Sequence, residues 1–305
     1  MALPQAIADR LRIPAIAAPM FLVSGVDMVL GACRAGIIGS FPANNARTLE
    51  DFDAWLGQIG GALEPGTPWA VNVMVHGSYA RRDEEMALIL KHRPPIVITA
   101  LGAPSGVVDA VKGYGGLVFA DVNSLTHARK AAAAGVDGLV LVASGAGGHT
   151  GPLAAFAFAP AVREIFNGVI VLGGGIGLGR AIRAAELLGA DLAYLGTRLI
   201  ACAESIADPA YKRMLVEAEI EDIVTSAALT GIPANWLRQS LAAAGFDPAM
   251  LTGKAEIKLG RPEETAKRWK DVWSAGHGVG AVRGIEPIAD IVDDLVRDYA
   301  QARAR

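Results

Sequence analysis

Cysteine, charge and long apolar runs are all scarce in this chain of 305 residues. Its two cysteines, Cys33 and Cys202, are too few for a disulfide framework and lack the Cys-x-x-Cys spacing of redox and metal sites. We therefore interpret both as small core residues and expect a reducing, cytoplasmic environment. No run approaches the roughly 20 apolar residues of a membrane span, and residues 1–20 lack the apolar core of a signal peptide. We expect no membrane partner.

Charged residues make up only 19% of the chain, and the formal net charge is -3. Lys and Arg are scattered rather than clustered, so the chain has no basic surface that could follow a phosphate backbone, and nucleic acid is not an expected partner. Hydrophobic residues, in contrast, make up 52% of the chain, which is ample for a large buried core. The composition is that of a folded, globular protein.

Short apolar runs recur along the first two-thirds of the chain, and each is followed by an Ala-rich or amphipathic segment of helical length. This alternation predicts a parallel sheet. Segments such as "SLTHARKAAAAG" and "GRAIRAAELLG" are typical of helices that stop at a glycine. Eight such units favour a closed (β/α)8 TIM barrel of the α/β class, with a doubly wound open sheet as the rival. The eight predicted strands span 14–20, 36–42, 69–75, 95–101, 116–122, 137–143, 168–174 and 191–197.

The alternation stops after about Ser205. From there to about residue 272 the sequence predicts helices joined by Gly and Pro turns, with no clear strand. An amphipathic helix then ends the chain and could complete the barrel. We therefore predict a barrel formed by residues 1–205 and 273–305, with residues 206–272 as a small helical domain.

Glycine collects after the last three predicted barrel strands, at the end where parallel barrels place their active sites. The sequences there are "SGAGGHTG", "GGGIGLG" and "YLGTRL". Glycine allows close backbone approach, and free N–H groups beside a helix start bind phosphate, so strands seven and eight predict a site for a phosphate-bearing cofactor or substrate. A Gly-x-Gly-x-x-Gly match in "GGGIGLG" gives a competing Rossmann interpretation. It lies in the seventh unit, however, and no acidic residue ends the next strand.

Histidine is the side chain best suited to proton transfer near neutral pH, and the chain has five. His92 precedes a strand and His127 lies in a polar helix, so we expect both on the surface away from the site. His76 follows the third strand and is a candidate to line the site, whereas His277, in "SAGHGVG", suits a packing or capping role better. His149 follows the sixth strand beside the predicted phosphate loops, and we predict it to be catalytic rather than an incidental residue of a glycine-rich turn. No metal-ligand spacing is present, so no metal is expected.

Six motifs of this chain, in their order and spacing, resemble the FMN-dependent nitronate monooxygenases, formerly called 2-nitropropane dioxygenases. The resemblance covers nearly the whole chain. It implies a TIM barrel that binds FMN non-covalently, with the phosphate on the loops after strands seven and eight and a small helical domain, here 206–272, covering the substrate. The motifs are "AAPM" (17–20), "VNV" around Asn72, "AGGHTG" (146–151), "GGGI" (173–176), "YLGTR" (194–198) and "AGHGVG" (275–280).

The resemblance also implies a role for each matching residue. His149 would act as a base toward the acidic α-carbon proton of a nitroalkane, or would stabilise the bound nitronate anion. FMN and O2 then carry the oxidation to a carbonyl compound and nitrite. The residues expected to hold FMN are Pro19, Met20 and Phe21 facing the ring, Asn72 hydrogen-bonded to it, Ala146 and Gly147 at its border, and Gly173, Gly174, Gly175, Gly196 and Thr197 at its phosphate.

Three departures from the family's pattern leave the substrate open. Family members often carry Glu at the position of Gly145 and Gln at that of His277, and aromatic residues follow the "VN" where this chain has "VMVH". We count His76 and His277 as candidate residues of the substrate pocket.

Two alternatives to this function also stay open. Relatives with the same barrel include an enoyl-acyl-carrier-protein reductase and NADH:quinone reductases, so an NADH-dependent flavin reductase is the alternative enzyme, although we identify no nicotinamide site. A barrel that binds a phosphorylated ligand without catalysis is the alternative outside the enzymes. The expected partners are a small-molecule substrate and O2, and a homodimer is compatible with the resemblance.

Overall fold

The computed structural model describes residues 3–247, 251 and 272–305, and its centre is a barrel of eight parallel strands. The sheet closes on itself through a parallel bridge between Ile16 and Ile38. Closure confirms the predicted TIM barrel and excludes the open doubly wound sheet, and all eight predicted strands are present. They are β1 (Ala15–Ala17), β2 (Gly39–Pro42), β3 (Trp69–Met74), β4 (Ile96–Ala100), β5 (Leu117–Val122), β6 (Gly138–Val142), β8 (Val169–Gly173) and β9 (Leu192–Leu195), while β7 (Gly148–His149) lies outside the barrel.

The barrel interior is a closely packed apolar cluster. Side chains alternate between the two faces of each strand, so every second residue points inward and its neighbours pack against the surrounding helices. Leu3, Ile7 and Leu11, in and around the short first helix α1 (Gln5–Ala8), belong to the interior cluster and close the amino-terminal end of the barrel. The other residues of this cluster lie on the strands or, for Ile38, directly before β2: Ile16, Ile38, Ala70, Ile96, Ile98, Phe119, Val140, Val169, Val171 and Leu192.

Helices follow the barrel strands as the alternation of the sequence predicts. The two helices that were predicted to stop at a glycine do so one residue beyond the C-cap, where Gly135 and Gly189 adopt φ values of 84° and 96°. Within the described ranges, no helix combines the length and the apolar character needed to cross a membrane. The helices after α1 are α2 (Val26–Ala35), α3 (Leu49–Ala62), α4 (Arg82–His92), α5 (Ser105–Lys112), α6 (Leu125–Ala133), α7 (Ala155–Arg163), α8 (Gly179–Leu187), α9 (Thr197–Ile200), α10 (Pro209–Glu217), α11 (Arg238–Ala243) and α12 (Ile288–Arg303), with 3-10 turns at Ala43–Asn45, Ile220–Asp222 and His277–Ala281. The two helices that stop at a glycine as predicted are α6 and α8.

The expectation of a strand-free segment after Ser205 is wrong. This segment contains β10 (Ile223–Ser226) and β11 (Ala234–Leu237), which form an antiparallel sheet with β7 in the order β10-β11-β7. The strands are only four residues long, and β11 pairs with a two-residue strand more than 80 positions away, so local periodicity carries little sign of them. The division at 206–272 stays a prediction, and residues 248–250 and 252–271 lie outside the described residues.

The last helix completes the outer ring, because α12 packs between α8 and α2. At Gly179, the first residue of α8, a Cβ would overlap the backbone of Leu295 and Tyr299. The neighbouring N–H of Arg180 donates to the Asp298 carboxylate at 2.8 Å. Close approach of the two helices therefore depends on the missing side chain at Gly179.

We predict that Gly179→Ala destabilises the protein by about 1–3 kcal/mol, the usual cost of an overpacked contact against backbone that has no room to move. Gly106→Ala is the matched control, because Gly106 also lies in the first turn of a helix and a Cβ there meets nothing within 4 Å. Alanine at that position should be neutral or stabilising by about 0.5–1 kcal/mol. Urea unfolding of both variants measures the difference, and equal stabilities would contradict the close α8–α12 contact.

Candidate active site

His149 lies at the carboxyl-terminal mouth of the barrel, on β7 in the loop that follows β6. The register of the small sheet pairs His149 with Ala234 and Gly148 with Asn235. On the next residue, the Thr150 N–H donates to the Pro233 carbonyl at 3.0 Å. The backbone on both sides of the imidazole is therefore fixed by strand pairing, and His149 is not part of an unrestrained glycine turn.

The loop from Gly145 to Gly148 is built from backbone in close contact with other backbone. Gly145 and Gly148 have φ values of 88° and 66°, which favour glycine. A Cβ on Gly147 would lie 2.7 Å from the Gly276 nitrogen, and the His277 N–H donates to the Gly145 carbonyl at 2.9 Å. The two glycine-rich motifs on either side of the predicted helical segment thus pack directly against each other at the mouth of the barrel.

Asn235 anchors this loop from the small sheet. Its side chain is fully buried, and its Nδ2 donates to the Ala146 carbonyl at 2.8 Å. Its Oδ1 accepts a hydrogen bond from the Thr225 hydroxyl of β10. Both ends of the amide are used, so Asn235 sets the distance between Ala146 and the β10–β11 pair.

The protonation of His149 follows from its surroundings. Burial lowers the pKa of His149 below its ordinary value of 6.5, because the charged imidazolium loses hydration there. The imidazole is therefore neutral at neutral pH, which is the form that accepts a proton. This state suits a general base.

The loop after β1 forms another wall of the mouth and carries the half-buried Pro19, Met20 and Phe21. Asn45 holds it in place from the turn after β2. The Asn45 Oδ1 accepts from the Leu22 N–H at 2.8 Å, and its Nδ2 donates to the carbonyls of Met20 and Ser24 at 2.9 and 2.8 Å. These bonds stabilise Leu22 in a left-handed conformation, with φ of 61°. Asn45 is thus a positioning residue that the sequence analysis did not single out.

Asn72 lies on β3 in register with Ile98, and its side chain is half-buried. Its Nδ2 donates to the Ile98 carbonyl at 3.3 Å. The inward-facing Ala70 is two residues earlier, so Asn72 faces the barrel mouth on the same side of the strand.

The loop after β8 has the geometry of an anion site. Gly174 and Gly175 adopt φ values of 133° and 73°. Among the described residues, none accepts a hydrogen bond from the N–H groups of residues 174–177. Consecutive free N–H groups in a turn of this kind bind phosphate oxygens.

Gly196 and the start of α9, which follow β9, are tied to other parts of the protein. Thr197 is buried, and its Oγ1 accepts a hydrogen bond from the Gly276 N–H at 2.8 Å, so this hydroxyl is engaged with the protein. The next residue, Arg198, is also buried, and its guanidinium Nη2 lies 3.1 Å from the Glu286 Oε2 in an ion pair. Gly196 lies beside the Met20 sulfur, which a Cβ would approach to 3.7 Å. This segment therefore ties the mouth together as well as bordering it.

The two candidate pocket histidines lie in different surroundings. His277 is next to the site loops, since a Cβ on Gly145 would lie 3.0 Å from its Nδ1 and one on Gly175 3.7 Å from its Cβ. His76 is exposed, and its Nδ1 accepts the Ser78 N–H at 3.2 Å in a local turn. The structure therefore brings His277 to the glycine loops and shows no contact of His76 with them.

The two surface histidines and both cysteines lie away from this chemistry. His92 contacts Asp53 between α4 and α3, and His127 contacts Asn123 at the start of α6. Burial raises the pKa of Cys33 and of Cys202 to about 11, so both thiols stay protonated and unreactive at neutral pH.

Two polar residues at the mouth were missed by the sequence analysis. Asp121 on β5 and Tyr194 on β9 lie on the inward faces of their strands, two residues beyond the interior Phe119 and Leu192. The signal in the sequence was an acid inside the apolar run "GLVFADV", at the inward-facing position nearest the end of the strand. Burial raises the pKa of Asp121 to about 7.

Comparison with known proteins shows which family this chain matches. Residues 43–298 match the family model described as nitronate monooxygenase. A nitronate monooxygenase of Paraburkholderia phytofirmans is 29% identical over 95% of this chain and 93% of its own length. A Mycobacterium tuberculosis (3aS,4S,5R,7aS)-5-hydroxy-7a-methyl-1-oxo-octahydro-1H-indene-4-carboxyl-CoA dehydrogenase is 27% identical over 75% of this chain, and the match spans 64% of that enzyme's length.

Solved structures share the whole architecture. FabK from Thermotoga maritima superposes with a TM-score of 0.81 over 98% of this chain and 96% of its own, at 22% identity, which bears on the fold alone. A nitroalkane oxidase from Streptomyces ansochromogenes superposes with a TM-score of 0.80 over 98% of this chain and 99% of its own, at 25% identity.

We predict that Asn235→Ala loosens the loop that carries His149. Losing two hydrogen bonds at a buried position should cost about 2–4 kcal/mol of unfolding free energy. Better hydration of the loop should also move the pKa of His149 back up toward 6.5, because burial is what lowers it. Histidine proton titration by NMR measures this shift.

Thr225→Ala is the control for this prediction. Thr225 is exposed, and its replacement removes only one hydrogen bond to Asn235, so the unfolding free energy and the pKa of His149 should both change less than in Asn235→Ala. A loss of stability with an unchanged His149 pKa would show that Asn235 does not act on the site loop.

Proposed function

The chain belongs to the nitronate monooxygenase family, and we propose that it is an FMN-dependent oxidoreductase that converts alkyl nitronates and O2 to a carbonyl compound and nitrite. The observation that carries this proposal is a neutral, half-buried His149 fixed by strand pairing at the mouth of the barrel, beside a loop of free N–H groups. The printed names of two similar proteins, a nitronate monooxygenase and a nitroalkane oxidase, support the substrate class.

The residues present fit FMN on two independent features. The free N–H groups of residues 174–177, with positive φ at Gly174 and Gly175, suit a phosphate monoester. Within the described ranges, Asp121 Oδ1 and Tyr194 Oη are buried without hydrogen-bond partners, and they suit the polar edge of a ring. FMN would lie with its phosphate at Gly173, Gly174, Gly175 and Gly196, near Thr197, and its ring among Pro19, Met20, Phe21, Asn72, Ala146 and Gly147.

His149 supplies the proton transfer in this proposal. With a neutral nitroalkane, a ring nitrogen of the imidazole accepts the α-carbon proton, and the resulting imidazolium faces the nitronate anion that it has created. With a preformed nitronate, the proton transfer is not needed, and the imidazole serves only to hold the anion. Bound FMN would supply the redox chemistry by which the nitronate is oxidised at the expense of O2.

We predict that His149→Ala binds FMN but turns over a neutral nitroalkane about 10²- to 10⁴-fold more slowly, the usual contribution of a positioned general base. Turnover of the preformed nitronate should fall much less, since no proton has to be removed. His127→Ala on the outer face of α6 is the matched control and should leave both rates unchanged. Oxygen consumption with the two forms of one nitroalkane measures the ratio, and equal losses would overturn the base role.

The lowered pKa of His149 predicts the pH profile with the neutral substrate. Protonation removes the base, and since the pKa lies below 6.5, activity should stay constant as the pH falls through 6.5 and decline only at lower pH. The measurement is kcat/KM for the neutral nitroalkane, which reports the free enzyme. A decline centred at or above 6.5 would mean that His149 is more hydrated than the structure shows.

The second candidate is an NADH-dependent flavin reductase, which the similarity to a carboxyl-CoA dehydrogenase favours. Anaerobic mixing of the flavin-loaded protein with NADH separates the two candidates. We expect slow or no bleaching of the flavin absorbance. Rapid bleaching would support the reductase, and a protein that gains no flavin absorbance after incubation with FMN would exclude both.

A further inference from the structure

Asp121 and Tyr194 are an anomaly inside the barrel. Each residue as a whole is half-buried, but Asp121 Oδ1 and Tyr194 Oη are buried, and neither atom has a hydrogen-bond partner in the described part of the chain. A buried polar atom without a partner lowers stability, whereas an apolar side chain at the same place would not. Two such atoms, each at the last inward-facing position of its strand, indicate a partner that binds there.

Both side chains point to the mouth of the barrel. Asp121 is in register with the interior residue Val140 on β6, and one residue of β5 follows it. Tyr194 is in register with Gly173 on β8, immediately before the loop of free N–H groups. Each residue thus holds the last inward-facing position of its strand, at the end of the barrel where the candidate FMN site lies.

The glycine at position 173 makes room for the tyrosine. A Cβ there would lie 3.3 Å from the Tyr194 Cβ and 3.4 Å from its Cδ1. The side chain of Tyr194 thus lies directly beside Gly173. An ordinary side chain at position 173 would press against that of Tyr194.

The protonation of Asp121 and Tyr194 follows from their burial among uncharged side chains. In the eight barrel strands, all of them within the described ranges, Asp121 is the one charged residue. Burial raises its pKa to about 7, so a large fraction of Asp121 carries a proton at neutral pH. Burial also raises the pKa of Tyr194, and the Asp121 carboxylate raises it further, so the phenol stays neutral.

The charged and titratable groups around the pair are few. The flanking strands bring only apolar or hydroxyl side chains, "IVITA" from β4 and "GLVLV" from β6, and "VIVLG" of β8 and "AIA" of β1 flank Tyr194. The segments at the mouth carry His149, His277 and the exposed His76, and Arg198 in α9 is paired with Glu286. Within the described ranges Asp121 Oδ1 has no hydrogen-bond partner, and burial alone, with no contribution from a neighbouring charge, sets the direction of its pKa shift.

We propose that Asp121 and Tyr194 form a hydrogen-bonding floor for the candidate site, in which a protonated Asp121 donates to the polar edge of the flavin ring. This inference rests on the proposed function, since FMN is the ligand it concerns. The ring would supply acceptor atoms for the Asp121 proton and the Tyr194 hydroxyl, which accounts for two polar groups kept at the ends of otherwise apolar strands. Ionised Asp121 would instead place a negative charge against those acceptors and weaken binding.

The test is the affinity of the purified apoprotein for FMN, followed by quenching of flavin fluorescence. Asp121→Leu and Tyr194→Phe should each raise the Kd about tenfold, the factor expected for one lost hydrogen bond of ordinary strength. Asp121→Asn keeps a donor and should bind like the native protein at about pH 6, where Asp121 is protonated. Asp109→Asn on the exposed face of α5 is the control and should change nothing.

The pH dependence of FMN binding tests the contribution of the Asp121 proton separately. As the pH rises through about 7, Asp121 loses its proton, and the Kd of the native protein should rise, whereas that of Asp121→Asn should not. The phosphate of FMN, with a second pKa of about 6, titrates in both proteins, so the ratio of the two Kd values removes its effect. The visible absorption bands of bound FMN should shift with pH only in the native protein.

The outcomes separate this inference from the proposed function. If the native protein does not bind FMN, the proposed function fails and the inference fails with it. If the native protein binds FMN but Asp121→Asn and Tyr194→Phe match it in Kd, spectrum and pH dependence, the inference alone is overturned. Thermal unfolding of each variant identifies any that fails to fold, and the two conservative variants, which preserve shape, decide the question without Asp121→Leu.

Discussion

The closure of the parallel sheet between β1 and β2 is the constraint on which the rest of the molecule depends. It is made by the bridge between Ile16 and Ile38, with hydrogen bonds from the Ala17 N–H to the Ile38 carbonyl at 2.8 Å and from the Ile38 N–H to the Ala15 carbonyl at 3.0 Å. The buried Ser40 hydroxyl adds a bond to the Ala17 carbonyl. Because the sheet closes, eight strand ends converge on one ring, and loops distant in sequence meet there.

Convergence at the mouth explains why glycine is so frequent there. At Gly147 and Gly276 the backbones of two loops touch, and each position would bring a Cβ into the other loop. Backbone in such contact offers N–H and carbonyl groups at fixed positions with little mobile side chain between them. The imidazole of His149 and the side chains of Asp121 and Tyr194 are then among the chemically distinctive groups of a surface made largely of backbone.

The barrel could be predicted because each of its strands is an apolar run long enough to be recognised locally, and because the order of strands in a TIM barrel follows the order of the chain. His149 could be placed at the mouth for the same reason. The small β10–β11–β7 sheet could not be predicted, since its pairing joins a two-residue strand to a segment more than 80 positions away. Asp121 and Tyr194 were hidden because a single polar residue does not interrupt an apolar run, and only the closed barrel shows that both face inward at the ends of their strands.

The pairing of β7 with β11 has a consequence for how such a barrel could change its substrate in evolution. The segment between α9 and α12 is joined to the His149 loop through main-chain hydrogen bonds and through Asn235. Replacing that segment by one from a relative would therefore alter the direction of the imidazole together with the shape of the pocket. A graft of that segment therefore has to include β11, the strand that pairs with the histidine.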